Sequence, residues 1–275
     1  MPADHSTSSA VLDQLRKAVN GAVITPSDPT YDKVRTVVAG DVDGHPAAVV
    51  RVTDADDVAR VVDIARDAGA ELAIRSGGHS GAGHSTTDGG IVIDVRDLNR
   101  IEFDLDDRSA WADGGVTAAD YTNAAGEHEL ATGFGDTGSV GVSGLTLGGG
   151  IGFLVRKHGL TIDSLLAAEI VTADGERRIV DADNEPDLFW AIRGGGGNFG
   201  VVTRLKLRLH EVPQIVGGML ILPATAETVE GFLDESVGAP DELSTIANVM
   251  PCPPMPFVPE SEHGKLVIFG MLTYA

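Results

Sequence analysis

The chain has 275 residues, and 43% of them are hydrophobic, which is enough for a buried core in one large domain or two smaller ones. It carries 41 Asp and Glu against 20 Lys and Arg, a net charge of −21, so nucleic acid and anionic membranes would be repelled and are excluded as partners. The acidic residues are dispersed, as in DADD, DLDD and DADNEPD, rather than gathered in a disordered tail. This pattern is typical of a protein from a high-salt cytoplasm, the alternative being an ordinary acidic protein.

Cysteine content and hydropathy limit the cellular setting. Cys252 is the only cysteine, which excludes an internal disulfide framework and a thiolate metal cluster. The first residues lack the apolar core of a signal peptide, and no run approaches the ~20 apolar residues that span a bilayer. The sequence therefore predicts a cytoplasmic protein.

The first half of the chain alternates helix and strand patterns. The predicted elements are a helix over 8–21 closed by Gly21, a strand at 47–52, a helix over 53–70 beginning at Thr53, a strand at 71–76, strands at 89–95 and 108–115, and a helix over 117–129 capped by Thr117. A strand–helix–strand unit of this length favours an α/β layer.

The second half is rich in β patterns. It contains a predicted hairpin over 164–181 with its turn at ADGE, a helix starting near Pro186, and a long strand from Val201 to His210. The pattern of predicted elements changes beyond Pro213, and this change predicts two domains, 1–212 and 213–275. No repeat of solenoid length is visible.

The segment after the boundary predicts an incomplete domain. It offers a strand at 215–222, a helix over 225–238 and a strand at 265–275, which make a poor independent core. The final strand is expected to leave an edge uncovered. Either a partner chain or a missing C-terminal segment completes this domain, or the chain is a truncated product.

A loop of glycine and serine, RSGGHSGAGHS, follows the strand at 71–76 and holds His79 and His84. Two histidines five residues apart in a loop lack the one-face geometry of a helical metal-binding pair, so no metal site is predicted. Glycines after a strand let backbone N–H groups converge on an anion, which favours a phosphate-binding loop. Taken singly, GGGIG, GGGGNFG and GDTGSVG match neither the dinucleotide fingerprint nor the Walker pattern, and each could be only a tight turn.

Four motifs in order are more specific than any one of them. RSGGHS, DGGIVIDV, GSVGVSGLTLGGGIGFLVRKHGLTIDSL and PDLFWAIRGGGGNFGVVT together resemble the berberine-bridge-enzyme-like FAD-linked oxidases, within the vanillyl-alcohol-oxidase superfamily, over roughly residues 45–212. The resemblance implies an α+β fold: a PCMH-type FAD-binding domain of two α/β subdomains, followed by the start of an α+β substrate domain that is apparently truncated.

The resemblance also assigns residues to FAD. The family's pyrophosphate loop matches Arg75, Ser76, Gly77, Gly78, His79 and Ser80, and His79 matches the histidine that is covalently attached to the flavin 8α-methyl group. Many members add a second link from a cysteine, but Thr137 stands at that position, so a single covalent link is expected.

Further positions match the family's flavin surroundings. Val140 falls where oxygen access is gated, and a valine there resembles the oxygen-using members. The other matched cofactor positions are Gly138, Gly141, Ser143, Gly144, Gly149, Gly150, Gly152 and, through its backbone, Val202.

The implied activity is an FAD-dependent oxidase. It would take a hydride from an alcohol or amine carbon of a small-molecule substrate to flavin N5, and pass electrons to O₂. No catalytic base is assigned, because Asp136, Tyr121 and Tyr274 are candidates by chemistry only. The alternatives are a non-catalytic FAD-binding fragment of a split or truncated gene, and a dehydrogenase with non-covalent FAD. The substrate is left open.

Overall fold

The computed structural model describes residues 7–275. The helices are α1 (Ser9–Ala18), α2 (Tyr31–Arg35), α3 (Ala55–Ala68), α4 (Ala118–Gly126), α5 (Val142–Leu147), α6 (Val155–His158), α7 (Pro186–Ile192) and α8 (Ala226–Gly238). The strands are β1 (Ala22–Ile24), β2 (Ala48–Arg51), β3 (Leu72–Arg75), β4 (Ile91–Asp94), β5 (Ile101–Asp104), β6 (Ser109–Asp113), β7 (Leu130–Ala131), β8 (Leu165–Val171), β9 (Arg177–Asp181), β10 (Val201–Arg208), β11 (His210–Glu211), β12 (Val216–Pro223), β13 (Leu243–Pro251) and β14 (Leu266–Tyr274).

The first layer is the predicted strand–helix–strand unit. Its sheet has the order β1-β2-β4-β3, in which β2 and β3 both run parallel to β4 and β1 is an antiparallel edge. The apolar face of α3, with Val58, Val61 and Ile64, packs into the same core as Leu15 of α1. The helix begins at Ala55, two residues later than the sequence predicts, because the Asp54 side chain accepts from the Asp57 amide as the N-cap.

The second layer is an antiparallel sheet of order β5-β6-β10-β8-β9. The predicted hairpin is present as β8 and β9, with the Gly175 amide donating to the Thr172 carbonyl in its turn. The predicted strand to His210 instead stops at Arg208, and β11 pairs separately with β7. Tyr121 of α4 and Phe134 pack edge to face in the core beneath this sheet, 5.0 Å between ring centroids. The two layers agree with the predicted pair of α/β subdomains.

The C-terminal unit, residues 213–275, departs from its prediction. Its sheet has the order β12-β14-β13, so the final strand is central and both of its edges are paired. The expectation of an uncovered final strand was wrong because β13 was missed; that strand runs directly into a proline-rich loop that masks its pattern. Helix α8 covers one face of the sheet, with Phe232 above Gly270.

Gly21 does not close α1 as predicted. The helix ends at Ala18, and a Cβ on Gly21 would lie 1.9 Å from the Arg51 carbonyl oxygen. Glycine is therefore needed there for the close approach of β1 to β2.

Within residues 7–275, no helix is long and apolar enough to cross a membrane. In that same part of the chain, no three His, Cys, Asp or Glu side chains come together to form a metal site.

Candidate functional site

Two glycine loops that are distant in sequence meet at one end of the first sheet. Loop A, residues 76–80, follows β3, and loop B, residues 137–141, precedes α5. A Cβ on Gly77 would lie 2.4 Å from the Gly141 amide nitrogen, and one on Gly141 would lie 2.0 Å from Ser76 Oγ. Only glycine permits backbones to approach this closely, so both positions fix the contact between the loops.

The carbonyl of Gly114 joins these loops to the second sheet. It accepts hydrogen bonds from Ser76 Oγ and Ser143 Oγ, each at 2.7 Å. A Cβ on Gly114 would lie 2.9 Å from the Val202 carbonyl oxygen, and the Gly114 amide donates to Thr203 at 2.7 Å. Three of the sequence-predicted positions, Ser76, Ser143 and Val202 from three separate motifs, thus lie around Gly114.

The amides of loop A are free to bind an anion. Within the described residues 7–275, the N–H groups of Gly77, Gly78, His79 and Ser80 donate to no protein acceptor. Gly78 has a φ of 73°, the left-handed conformation in which successive N–H groups turn toward one concave side. The resulting array of neutral donors suits a phosphate group.

Arg75 lies beneath loop A rather than at its surface. Its side chain is buried, with one guanidinium nitrogen 2.9 Å from Asp94 and another 3.1 Å from the Arg35 carbonyl. Burial alone would raise the pKa of Asp94, but hydrogen bonds and charge from Arg96 and Arg75 outweigh it and hold that pKa below its ordinary value. Two guanidinium groups thus share one carboxylate, which leaves net positive charge at the base of the loop.

The two histidines of the loop have separate surroundings. His79 Nε2 lies 3.0 Å from Ser139 Oγ, so its imidazole rests against loop B. His84 is exposed, and its contact to the loop is an amide hydrogen bond to Ser80 Oγ. The structure therefore places His79, and not His84, where loops A and B meet.

Loop B is held by the start of α4. The amides of Ala118 and Ala119 donate to the carbonyls of Val140 and Gly138, each at 2.9 Å. These helix N–H groups are consequently engaged by the protein and are not available to an anion. Thr137 is exposed, and its hydroxyl donates to Asp136 at 3.0 Å.

The remaining glycine positions lie behind loop B. Gly149 and Gly150 have φ values of 110° and 77°, and their carbonyls accept from Ile162 and Thr161, both at 2.9 Å. A Cβ on Gly152 would lie 1.5 Å from the Phe134 carbonyl oxygen, just upstream of loop B. These three glycines shape the backbone that supports the loop. Gly144 is different, since a Cβ there would meet no atom within 4 Å.

The three candidate bases do not converge. Tyr121 is fully buried in the core beside Thr132, and burial raises the pKa of its phenol to about 12. Asp136 is exposed at loop B, and Tyr274 lies about half exposed at the end of β14 in the C-terminal unit. Tyr121 is a core residue, and the geometry gives the other two no shared site.

Sequence reasoning missed Gly114 and Ser139 as site residues. The motif ADGG at the end of β6 repeats the pattern of two glycines after a strand that marks loop A, so Gly114 had a usable signal. Ser139 had none beyond its place in GDTGSVG, because its contact with His79 joins residues 60 positions apart.

The comparisons with known proteins place this chain in a family. The FAD binding domain family matches residues 46–181. The chain is 38% identical over 228 residues to (R)-6-hydroxynicotine oxidase of Paenarthrobacter nicotinovorans, covering 82% of this chain and 50% of the relative. It is similar to the crystal structure of 6-hydroxy-D-nicotine oxidase from Arthrobacter nicotinovorans, with a TM-score of 0.84 and 34% identity over 93% of this chain and 55% of that one. It is also similar to BBE-like 1 of Physcomitrella patens, with a TM-score of 0.86 and 25% identity over 98% and 56% of the two chains.

The chain spans about half the length of the curated relatives it matches. The matched residues 46–181 include both loop A and loop B. The chain belongs to the berberine-bridge-enzyme-like FAD-linked oxidoreductases of the PCMH-type, vanillyl-alcohol-oxidase superfamily.

Proposed function

We propose that this protein is an FAD-dependent oxidase acting on an alcohol or amine carbon of a small molecule, with O₂ as electron acceptor. When bound, FAD would supply the redox chemistry, a two-electron oxidation of the substrate with O₂ as the final acceptor. The observation that carries the proposal is the meeting of loops A and B beside Gly114, with four free amides in loop A.

The residues present fit the diphosphate of FAD. The amides of Gly77, Gly78, His79 and Ser80 offer donors, and the positive φ of Gly78 turns successive amides toward one side. The guanidinium of Arg75 is buried against Asp94 and would not contact the phosphates. It would attract them only through its charge beneath the loop. The phosphates would therefore be held mainly by backbone, which suits a chain with net charge −21.

We propose that the cofactor is tethered once, through His79. Its imidazole lies at the junction of the two loops, against Ser139. Thr137 in loop B has a hydroxyl where a thiol would be needed for a second link, and Cys252 is buried in the C-terminal unit. The single tether is supported by this placement together with the family's pattern.

The linkage can be tested by acid denaturation and intact mass. We expect yellow colour to stay with the acid-precipitated polypeptide and the mass to rise by one FAD. His79→Ala should abolish the covalent adduct, while His84→Ala, a change in the same loop at an exposed position, should leave it intact. Release of the flavin from the wild-type protein would instead favour the non-covalent dehydrogenase, and an adduct retained in His79→Ala would contradict the assignment.

The oxidase activity needs a separate test, because the relatives act on varied substrates. Relatives and structural neighbours are named for hydroxynicotine, chitooligosaccharide and xylooligosaccharide oxidation, and one neighbour is named a glucose dehydrogenase. We expect anaerobic bleaching of the flavin by a member of an alcohol, sugar and amine panel, followed by H₂O₂ release on admitting air. Val140 at loop B is the proposed position for control of O₂ access. Bleaching without reoxidation by O₂ favours a dehydrogenase, and no bleaching by any compound favours a non-catalytic FAD-binding fragment.

The acidic composition supports a further proposal, that the protein works in a high-salt cytoplasm. The chain carries 41 acidic and 20 basic residues, so its excess negative charges repel one another. Salt screens this repulsion. The melting temperature should rise steadily from low to molar KCl. A melting temperature independent of KCl would oppose this setting.

A further inference from the structure

Helix α6 is one turn long, belongs to the N-terminal unit and contacts the C-terminal unit. It follows the Gly149–Gly152 turn, whose last glycine packs against the Phe134 carbonyl just before loop B. It packs against β13 of the C-terminal unit. Residues Arg156 and Lys157 also donate every hydrogen bond that crosses between 7–212 and 213–275.

Arg156 binds the C-terminal end of α8. Its guanidinium donates to the Ser236 carbonyl and, at 2.6 Å, to the Ala239 carbonyl, and it lies 3.9 Å from Asp241. The last carbonyls of a helix have no hydrogen-bond donor within the helix, and they carry partial negative charge. A cationic donor at this end supplies the missing hydrogen bonds and balances the charge.

The sequence of α8 does not supply this cation itself. Its last turn contains no basic residue, and acidic side chains at Asp234 and Glu235 add negative charge near the same end. Its C-cap, Ala239, has extended backbone and not the left-handed glycine that commonly closes a helix. The end of α8 therefore depends on a donor from another element, and Arg156 is that donor.

The neighbours of Arg156 on α6 reinforce the contact. Lys157 Nζ donates to the Ala275 carbonyl at 2.8 Å, at the end of β14. His158 stacks on His210 of β11, with ring centroids 4.0 Å apart and planes at 13°. Arg156 and Lys157 thus bind the end of α8 and the end of β14, whereas the stacking of His158 on His210 holds α6 within the N-terminal unit.

We propose that Arg156 is a positioning residue that fixes the C-terminal unit relative to loop B. It acts through α6 and the Gly149–Gly152 turn, which are continuous with the backbone supporting that loop. The inference concerns the arrangement of the two units and does not depend on how, or whether, FAD is linked to His79.

The test measures the distance between the units. Spin labels are placed on the exposed positions Asp183→Cys and Val249→Cys, and the buried Cys252 is left in place. Double electron–electron resonance should give one narrow distance distribution for the parent protein. Arg156→Met keeps the apolar stem but removes the donors and charge, and it should broaden the distribution. Arg156→Lys, which keeps the charge and one donor group, should restore most of the narrow distribution.

A matched control separates positioning from general loss of charge. Arg193→Met also removes a half-exposed arginine, but one whose contacts, to Phe189 and Asp163, lie within the N-terminal unit. It should leave the distance unchanged. Hydrogen exchange at 236–245 should quicken about tenfold in Arg156→Met, as expected for loss of hydrogen bonds from a charged donor, with exchange in β8 and β10 unaltered.

Two outcomes would overturn the proposal. One is an unchanged distance distribution in Arg156→Met; the other is equal broadening in Arg193→Met. If Arg156→Met does not fold, Arg156→Gln, which keeps a neutral donor, is measured instead. Broadening in that variant supports the proposal, and a distribution as narrow as the parent's contradicts it.

Discussion

Substitution of Gly77 by alanine tests the contact between loops A and B. The added Cβ would lie 2.4 Å from the Gly141 nitrogen, 2.9 Å from the Ser139 carbonyl oxygen and 3.1 Å from the Val140 carbonyl carbon. All three atoms belong to backbone, so no side-chain rotation relieves the clash and the loops must move apart.

The cost of this clash can be estimated. Overpacking of a well-packed site typically costs about 1–3 kcal/mol. In a chain of this size each kcal/mol lowers the melting temperature by about 2–4 °C, so a cost of about 2 kcal/mol gives a fall of roughly 4–8 °C. If the cost falls on FAD binding and not on folding, the same free energy corresponds to about 30-fold weaker binding of FAD.

Gly81→Ala is the matched control, because it makes the same chemical change in the same segment. A Cβ there meets no atom within 4 Å, and Gly81 has no positive φ. Its effect should stay within about 0.5 kcal/mol. Thermal unfolding and flavin content per chain are measured for both variants. If Gly77→Ala melts and retains flavin like Gly81→Ala, the two loops are not in the contact described.

Three further predictions concern stability. Asp94→Asn leaves the buried Arg75 without its carboxylate and should cost about 3–5 kcal/mol by urea unfolding; a loss below about 1 kcal/mol would contradict a buried ion pair. Thr117→Ala removes the hydroxyl that caps α4, as predicted from sequence, and should cost about 1 kcal/mol; no loss would mean that the cap is dispensable. Burial, with a smaller effect from the charge of His158, lowers the pKa of His210 from 6.5 to about 4. The unfolded chain therefore binds this proton first, and stability should fall as pH drops from about 6.5 to 4, by up to roughly 3 kcal/mol before solvent screening and about 1–2 kcal/mol after it. His210→Gln should remove this part of the pH slope, and an unchanged slope would assign it to other groups.

The sequence alone determined the family and most regular elements. Alternation, helical spacing and caps are local properties, so the patterns for α3, α4, β8 and β9 predicted what the structure contains. Glycine loops are readable for the same reason, because a backbone conformation or close approach that only glycine allows restricts the residue at that position. The sequence also shows a threonine and not a cysteine at position 137. The prediction of a single covalent link to FAD rests on that residue.

Only the tertiary structure decided which groups meet. Ser76 and Gly114 are 38 positions apart, His79 and Ser139 are 60 apart, and Arg156 and Ser236 are 80 apart. Such contacts depend on strand order and on the packing of one layer against another, which local propensity does not encode. For the same reason Arg75 is buried against Asp94, a strand away, rather than at the loop surface, and the final strand lies in the centre of its sheet because β13 pairs with it. The local sequence specifies loops A and B, and the packing of distant segments brings the two loops together.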